Sequence, residues 1–294
     1  MNFTKVQGAG NDFMLVETSD MQRDWSQIAL AICNRHFGVG ADGLLLVSPS
    51  DVADFRMRVF NPDGFEAEAC GNGLRCVVKY VVDSGLTDTE AQELQIETKS
   101  GIRKVKLCKT GNKLAKIQVS MGEPKFGAKD IPVIIEQAEG DILDIKPILD
   151  CPVTIMGRKL LLALVSMGNP HAVYFLPHPV SDFPLAEIGP EVGRLSVFPE
   201  GVNFEVAYIR PTSQQIEVRV WERGAGETLA CGSGACAVAV AARLHGYISG
   251  SKVDIKLPGG TLEVEWDGVG EVFLSGPAEI VFTGEWSSES IKTS

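Results

Sequence analysis

Two cysteines in near-duplicate surroundings divide this chain of 294 residues into similar halves. Residues 69–73 read ACGNG and residues 230–234 read ACGSG, with Cys70 and Cys231 separated by 161 positions (231 − 70). An apolar stretch of helical character follows each block. A cysteine before a glycine-rich helix start lies where backbone N–H groups point outward and the helix dipole is positive, which lowers the pKa of a thiol and binds a carboxylate. Two such positions predict two thiols that act on a single substrate.

Other landmarks recur in the same order in both halves. Asn61 and Glu222 each precede a cysteine by nine positions, and Asn11 and Asn169 each follow a glycine near the start of their half. Such an ordered recurrence over most of the chain indicates an internal repeat. We therefore expect an α+β fold of two pseudo-symmetric lobes, with the active site in the cleft between them and one cysteine from each.

The hydrophobic pattern is rich in strands, with short helices expected near residues 25–33, 73–83, 186–192 and 234–245. A polar, proline-marked stretch around residues 121–132 is the best boundary between the lobes. The sequence thus predicts an N-terminal lobe of residues 1–125 that carries Cys70 and is joined by a C-terminal strand at about 276–286. Residues 126–275 form the second lobe, which carries Cys231.

Composition excludes several classes of protein. The formal net charge of −11 argues against a nucleic-acid partner, because phosphate binding requires a basic face. The sequence has no apolar stretch long enough to span a membrane, and its N-terminus lacks the pattern of a signal or transit peptide. Seven cysteines, an odd number, favour reduced thiols in a reducing compartment. We therefore expect a cytoplasmic protein without a membrane or nucleic-acid partner.

Two motifs suggest cofactor or metal chemistry that their context does not support. Residues 38–43 (GVGADG) match the dinucleotide fingerprint, but a strand-like run follows them where the fingerprint requires a helix, so they predict a turn. Cys76 and Cys236 stand six and five positions after the repeated cysteines, which is not the spacing of a structural zinc site. They fall on apolar helices, where a buried cysteine acts as a small hydrophobe. A redox dithiol of Cys70 and Cys231 remains an open alternative.

The polar residues of the landmarks form a chemically consistent set. The asparagines lie in turns punctuated by glycine or proline, where asparagine is common for backbone reasons alone. Together with Glu222 and Arg223 they would supply donors for a carboxylate and acceptors for an ammonium group, as a zwitterionic amino acid requires. His171 is either a turn histidine with satisfied hydrogen bonds or a site residue. The asparagines concerned are Asn11, Asn61, Asn72, Asn169 and Asn203.

Seven blocks in order give the chain a family resemblance over essentially its full length. They are residues 8–13 (GAGNDF), 60–64 (FNPDG), 69–76 (ACGNGLRC), 167–171 (MGNPH), 201–203 (GVN), 222–228 (ERGAGET) and 230–236 (ACGSGAC). At these residues the chain resembles the diaminopimelate epimerase family. The resemblance implies two lobes, each a β-barrel-like sheet around a central helix. It also implies interconversion of LL- and meso-2,6-diaminopimelate without pyridoxal phosphate or another cofactor, in lysine and peptidoglycan precursor synthesis, by a cytoplasmic homodimer.

The resemblance also implies roles for individual residues. Epimerisation removes a proton from one face of the α-carbon and returns one to the other, which two thiols, Cys70 and Cys231, would do as a thiolate and thiol pair without a metal. His171 and Glu222 would relay protons. Helix-start groups would hold the α-carboxylate as charge moves onto it: Gly71, Asn72, Gly232 and Ser233. The remaining substrate contacts would come from Asn11, Asn61, Asn169, Asn203, Glu222 and a buried Arg223. Some members carry Gln where this chain has Gly43, which puts a contact from that position in doubt.

Two other functions are compatible with the sequence. The first is another cofactor-independent racemase or isomerase of the same superfamily, similar to proline racemase, which would act on an amino acid with a single carboxylate. The second is a protein that is not an enzyme, or one whose thiols serve a redox purpose. Loss of substrate binding on Arg223→Ala would argue against the first. Proton exchange at the α-carbon without an added cofactor separates the second from the epimerase.

Overall fold

The computed structural model describes residues 1–67, 70–88, 91–110, 113–134, 147–211, 213 and 215–287. The chain forms two compact units. The N-terminal unit comprises Met1–Ser120 with Ser275–Ser294, and the C-terminal unit comprises Met121–Leu274. For comparison, the sequence places the boundary after residue 125 and assigns residues 276–286 to the first lobe. Among the described residues, no helix is long and apolar enough to cross a membrane.

The N-terminal unit is a mixed sheet with two helices, α1 (Trp25–Ile32) and α2 (Gly71–Asp83). Its strands are β1 (Asn2–Gly8), β2 (Asn11–Glu17), β3 (Gly43–Ser48), β4 (Phe55–Phe60), β5 (Glu66–Ala67), β6 (Glu93–Thr98), β7 (Gly101–Thr110), β8 (Lys113–Ser120) and β18 (Glu279–Glu285). Strand β2 pairs parallel with β3, and β4 pairs parallel with β6, while the other neighbours are antiparallel. Strand β18 pairs with β1, so the sheet joins the first strand of the chain to the last strand of its described part.

The C-terminal unit repeats this order. Its helices are α3 (Leu185–Gly193) and α4 (Gly232–Leu244), with a short 3₁₀ turn at Val180–Asp182. Its strands are β9 (Ile148–Ile155), β10 (Arg158–Ser166), β11 (Pro170–Phe175), β12 (Asn203–Ile209), β13 (Ile216–Glu222), β14 (Gly226–Thr228), β15 (Lys252–Leu257) and β16 (Gly260–Glu265). Strand β17 (Phe273–Gly276) carries the chain across the boundary into the N-terminal unit.

The strand pairings show that the duplication read from the sequence is a duplication of topology. The parallel pair β11–β12 corresponds to β2–β3, and the parallel pair β13–β15 corresponds to β4–β6. The antiparallel pairs between them correspond in the same way, and α4 follows β14 as α2 follows β5. Each cysteine of the repeat therefore lies at the same point of its unit, where the chain leaves a short strand and enters a helix.

Each unit is built around its second helix. Helix α2 packs against β1, β2, β3, β4 and β8, and α4 packs against β10, β11, β12, β15 and β16. Most of α4 is buried, because its alanine and valine side chains are small enough to let strands approach from several sides. An apolar cluster in each unit packs against its first helix. It includes Ile28 and Ile32 on α1 in the N-terminal unit, and Leu185 and Ile188 on α3 in the C-terminal unit. The fold is thus α+β, with a curved sheet around one central helix in each unit.

The observed elements differ from the sequence prediction mainly at edges. Helices α2 and α4 begin at Gly71 and Gly232, two residues earlier than predicted, because each cysteine caps the helix and the glycines after it are already helical. Among the described residues, four strands were not predicted from the pattern: β1, β5, β9 and β14. Strand β18 lies within the C-terminal strand predicted at about 276–286. Residues 38–42 form the turn into β3 that the sequence predicts, and no helix follows them directly.

Candidate active site

Cys70 is the N-cap residue of α2 and has an extended backbone conformation (φ −142°, ψ 111°). Its Sγ accepts a hydrogen bond from the backbone N–H of Gly73 at 3.4 Å, in the way that a serine or aspartate side chain caps a helix. The side chain is half-buried. An added Cβ on Gly73 would lie 3.6 Å from this sulfur and 2.9 Å from Leu45, so a glycine lets the helix start lie close to the thiol.

A chain of side chains fixes the surroundings of Cys70. Asn11 Oδ1 lies 3.9 Å from the sulfur and accepts a hydrogen bond from Asn72 Nδ2 at 3.2 Å. Asn72 Oδ1 in turn accepts from Arg75 Nη2 at 2.7 Å, and the Arg75 side chain is fully buried. The other nitrogens of Arg75 donate to the carbonyls of Gly71 and Pro277. A buried cation thereby holds the amide of Asn72 in one orientation beside the thiol.

The turn at residues 38–42 orients Asn11 from the other side. Asn11 Nδ2 donates to Asp42 Oδ2 at 2.9 Å, so its amide oxygen must face Asn72 and Cys70. Arg35 bridges the carboxylates of Asp12 and Asp42, each at 2.7 Å. Burial raises the pKa of Asp12, but hydrogen bonds from Arg35 and Lys5 outweigh it and hold that pKa below its usual range. The glycine-rich turn thus fixes the orientation of the Asn11 amide beside the Cys70 thiol.

Cys231 occupies the same position in the C-terminal unit, as the N-cap of α4. Its Sγ accepts from the backbone N–H of Gly234 at 3.4 Å and lies 3.5 Å from Ser233 Oγ. Burial raises the pKa of this thiol well above its usual range, and the carboxylates of Glu222 and Glu205 raise it further, although the bonds from Ser233 and Gly234 act in the opposite direction. The sequence predicts a lowered pKa for this thiol, and that prediction is wrong because burial and two carboxylates outweigh the helix start.

Glu222 is the last residue of β13, and its carboxylate interacts with the thiol of Cys231. Its carboxylate hydrogen-bonds with the Cys231 thiol and accepts from the hydroxyl of Thr228. Burial raises the pKa of Glu222, and the Glu205 carboxylate raises it further, while the bonds with Thr228 and Cys231 lower it. A carboxyl with a raised pKa beside a thiol accepts a proton more readily than an ordinary carboxyl does.

Behind this pair lies a fully buried histidine. His171 Nδ1 lies 2.7 Å from Glu205 Oε1, and its Nε2 lies 3.0 Å from Asn169 Oδ1. Asn203, beside His171 in the parallel pairing of β11 and β12, donates to the carbonyl of Pro170 and accepts from the backbone N–H of Arg223. Side-chain hydrogen bonds therefore tie the ends of β11, β12 and β13 together around Cys231.

Known proteins are similar to this chain over most of its length. A family profile described as diaminopimelate epimerase matches residues 3–127 and 163–281. The diaminopimelate epimerase of Moorella thermoacetica is 44% identical over 97% of this chain and 99% of its own length. That of Methanococcus maripaludis is also 44% identical, over 97% of this chain and 99% of its own. The chain belongs to the diaminopimelate epimerase family.

Solved structures show that the fold of this family extends to distant relatives. A hydroxyproline epimerase from Agrobacterium vitis superposes with a TM-score of 0.70 at 14% identity, covering 97% of this chain and 91% of its own. A PhzF-family phenazine biosynthesis protein from Bacillus anthracis gives a TM-score of 0.69 at 21% identity, covering 98% of this chain and 99% of its own. These likenesses show a shared architecture for the diaminopimelate epimerase family and these proteins.

The site residues predicted from the family motifs fall into two groups within the structure. In the N-terminal unit, hydrogen bonds connect Asn11 and Asn72 with Cys70, whereas the backbone of Asn61 closes a turn with Gly64 and Phe65. In the C-terminal unit, the residues brought together around Cys231 are Ser233, Glu222, His171, Asn169 and Asn203. Gly71 and Gly232 are the first residues of their helices.

Arg223 differs from its prediction as a buried guanidinium. Its side chain is exposed, and Nη1 donates to the carbonyl of Glu200 at 2.9 Å. The reason is local, because Arg223 begins the turn between β13 and β14 and its side chain points away from the core. An exposed guanidinium remains suited to a substrate carboxylate, since it presents five N–H donors in a planar fork.

Two buried charged residues next to the candidate site were not predicted from the sequence. Arg75 lies inside the block 69–76 between Leu74 and Cys76, and an arginine among apolar residues of a helix is a signal of a buried, functional charge. Glu205 stands in the apolar strand β12, and a carboxylate in such a strand carries the same signal. Among the described residues, no group of three or more His, Cys, Asp or Glu side chains could hold a metal ion.

Proposed function

We propose that this protein interconverts LL- and meso-2,6-diaminopimelate by a two-base mechanism in which Cys70 and Cys231 are the acid–base groups. The observation that carries the proposal is the pair of helix-capping thiols at equivalent points of a duplicated fold, in a chain that belongs to the diaminopimelate epimerase family. A reaction that inverts one stereocentre needs two bases on opposite faces, and a duplicated unit supplies two of the same kind.

The chemistry requires the two thiols to be in opposite protonation states. One thiolate accepts the α-proton and becomes a thiol, while the other thiol donates its proton to the opposite face of the carbanion and becomes a thiolate. The reverse reaction exchanges the roles. Backbone N–H groups at the starts of α2 and α4 are the donors suited to the α-carboxylate as negative charge moves onto it.

The C-terminal unit contains a partner for the proton of Cys231. When Cys231 acts as a base, its S–H proton must first leave, and the hydrogen-bonded Glu222 carboxylate can take it. The raised pKa of Glu222 favours this step, because the carboxyl then holds the proton more readily than an ordinary glutamate. The S–H bond breaks and an O–H bond forms within one hydrogen-bonded pair, so no additional reactant is required.

The distal end of the substrate is assigned to the exposed guanidinium of Arg223, with Asn61, Asn169 and Asn203. Diaminopimelate carries a second carboxylate and ammonium group, and a guanidinium binds a carboxylate through two parallel hydrogen bonds. Lysine lacks the second carboxylate and proline is too short to present one, so both are expected to be poor substrates. In Arg223→Ala we expect KM for diaminopimelate to rise and thermal stability to stay close to wild type, because the side chain is exposed.

Deuterium incorporation at the α-carbon of LL-diaminopimelate in heavy water, without an added cofactor, tests the proposal. We expect label in the product, and a loss of at least about a hundredfold in Cys70→Ser and Cys231→Ser, since a hydroxyl is far less acidic than a thiol. Cys108→Ala is the control, because this exposed cysteine lies on β7. Near-normal exchange in either serine variant would contradict the two-thiol mechanism.

The same assay distinguishes the alternatives. Equal exchange on proline and diaminopimelate would favour a racemase of the wider superfamily, and no exchange on any amino acid would favour a thiol-redox protein. Family membership also supports a place in lysine and peptidoglycan precursor synthesis and a cytoplasmic homodimer. Sedimentation of the purified protein would test the dimer.

A further inference from the structure

Glu205 is a buried carboxylate to which neither the family motifs nor the proposed mechanism gives a role. It lies on β12, two residues after Asn203 and therefore on the same face of the strand. Its side chain is fully buried. One oxygen, Oε1, lies 2.7 Å from His171 Nδ1, and among the described residues the other oxygen, Oε2, has no hydrogen-bond partner. A buried carboxylate with one unsatisfied oxygen is costly to keep, which points to a function for the bond it does make.

The packing of Glu205 shows that its position is closely defined. A Cβ added to Gly234, in the first turn of α4, would lie only 2.7 Å from Glu205 Oε1. The carboxylate thus lies directly against the start of the helix that Cys231 caps. The titratable groups that surround it come from three elements: His171 on β11, Glu222 on β13 and Cys231 at the start of α4.

The hydrogen-bonding capacity of an ionised carboxylate restricts the histidine. Such a carboxylate only accepts, so the nitrogen facing it must carry the proton, which places N–H on Nδ1. A change in the protonation of His171 can then take place only at Nε2, which faces the side chain of Asn169 at 3.0 Å. The Asn169 amide can accept from a protonated Nε2 or, after rotation, donate to an unprotonated one.

We propose that Glu205 is a positioning residue for the reaction: it fixes the proton on Nδ1 of His171, so that His171 exchanges protons only through Nε2, on the side of Asn169. Its kinetic consequence rests on the proposed function, since His171 and Asn169 are site residues of that reaction. The location of the proton on the His171 ring does not depend on the proposed function. Asn169 would consequently present a different amide face to the substrate in each protonation state of His171.

Nitrogen-15 NMR of protein labelled at its four histidines tests the proposal directly. The signals of His171 are identified by their loss in His171→Gln. In the wild-type protein we expect the Nδ1 signal to be that of a protonated ring nitrogen. A wild-type spectrum in which Nδ1 is unprotonated would overturn the proposal, whatever the activity of the protein.

Glu205→Gln supplies the kinetic test. The amide can donate to Nδ1 as well as accept from it, so the tautomer is no longer fixed, and we expect kcat to fall roughly tenfold or more with a smaller change in KM. The kcat–pH profile should also change shape, which a purely structural role would not produce. Glu217→Gln is the matched control, because it removes a carboxylate from the neighbouring strand β13, where Glu217 pairs with Arg210.

The outcomes separate this proposal from the function itself. A Glu205→Gln protein with unchanged kcat, pH profile and His171 spectrum would overturn the positioning role. If this variant fails to fold, the wild-type spectrum still decides the question. If the wild-type protein has no epimerase activity, the proposed function fails while the ring-proton assignment is judged by NMR alone.

Discussion

Glu222→Gln is expected to make Cys231 more reactive and the enzyme less active. The Glu222 carboxylate is one of the groups that raise the pKa of the Cys231 thiol, after burial itself. The amide of Gln has nearly the same shape but no charge, so the thiolate becomes easier to form. Turnover should nevertheless fall, because an amide cannot take the proton of Cys231.

The size of the gain in reactivity follows from electrostatics. A unit charge about 4 Å from the thiolate contributes up to about 4 kcal/mol at an effective dielectric constant of about 20. Partial exposure of Glu222 and the remaining amide dipole reduce this interaction, and we take about 1.4–2.8 kcal/mol. The thiolate fraction at pH 8 then rises about ten- to a hundredfold, but nucleophilicity falls with pKa by about half as much on a logarithmic scale. The net increase in the alkylation rate is about three- to tenfold.

The assay is alkylation of the substrate-free protein by iodoacetamide at pH 8, followed by mass spectrometry of the Cys231 peptide. The exposed thiol of Cys108 is the internal reference. Glu227→Gln is the control variant, since Glu227 lies on β14 in the same unit and pairs with Arg219 at 2.8 Å. An unchanged or slower alkylation of Cys231 in Glu222→Gln would refute the view that this carboxylate holds the thiol in its protonated form.

Two further predictions concern stability. In urea denaturation, Gly189→Ala should destabilise the fold by about 1–3 kcal/mol, because its Cβ would lie 2.5 Å from the ring of Trp221. Gly193→Ala on the same helix should be close to neutral, because the nearest atom to its Cβ would be 4.0 Å away. The hydrogen bonds of Arg58 lower the pKa of Glu66, so the stabilisation is complete above the usual carboxyl pKa of 4.5 and is lost as pH falls through the lowered value. As pH falls from about 5 to 3, the free energy of unfolding should therefore decrease by about 0.5–1 kcal/mol less in Glu66→Gln than in wild type, after allowance for exposure. An equal decrease in both proteins would count against this ion pair.

The sequence predicted the repeat and the fold class because both depend on patterns that the chain repeats. A cysteine, a glycine-rich helix start and a fixed distance to a polar residue are local features, and the family blocks identify them without knowledge of the packing. Strand β1 was missed because one of its two partners, β18, lies far away in the chain. Strand β14 is too short to show a period of its own, and its pairing with the end of β13 defines it.

The properties of the candidate site were less predictable than its residues. The raised pKa of Cys231 results from burial and from Glu205, which stands 26 positions earlier (231 − 205), so it could not be read from the helix start. The exposure of Arg223 depends on which way a turn points. A pattern identifies residue types at fixed spacing, whereas burial and charge arise from elements that meet only in the folded chain.

The pairing of β1 with β18 has a consequence for how the protein is made. One edge of the first strand of the N-terminal unit is covered by residues synthesised after the whole C-terminal unit, and the backbones of Met1 and Trp286 exchange hydrogen bonds at 2.8 and 2.9 Å. A nascent chain that has emerged as far as Leu274 therefore has an N-terminal sheet with an open edge, whereas every residue of the C-terminal unit is already present. The second half of the chain can mature before the first. Until residues 279–285 emerge, β1 offers one unpaired edge to other nascent chains, and a nonsense mutation that removes these residues would make that exposure permanent.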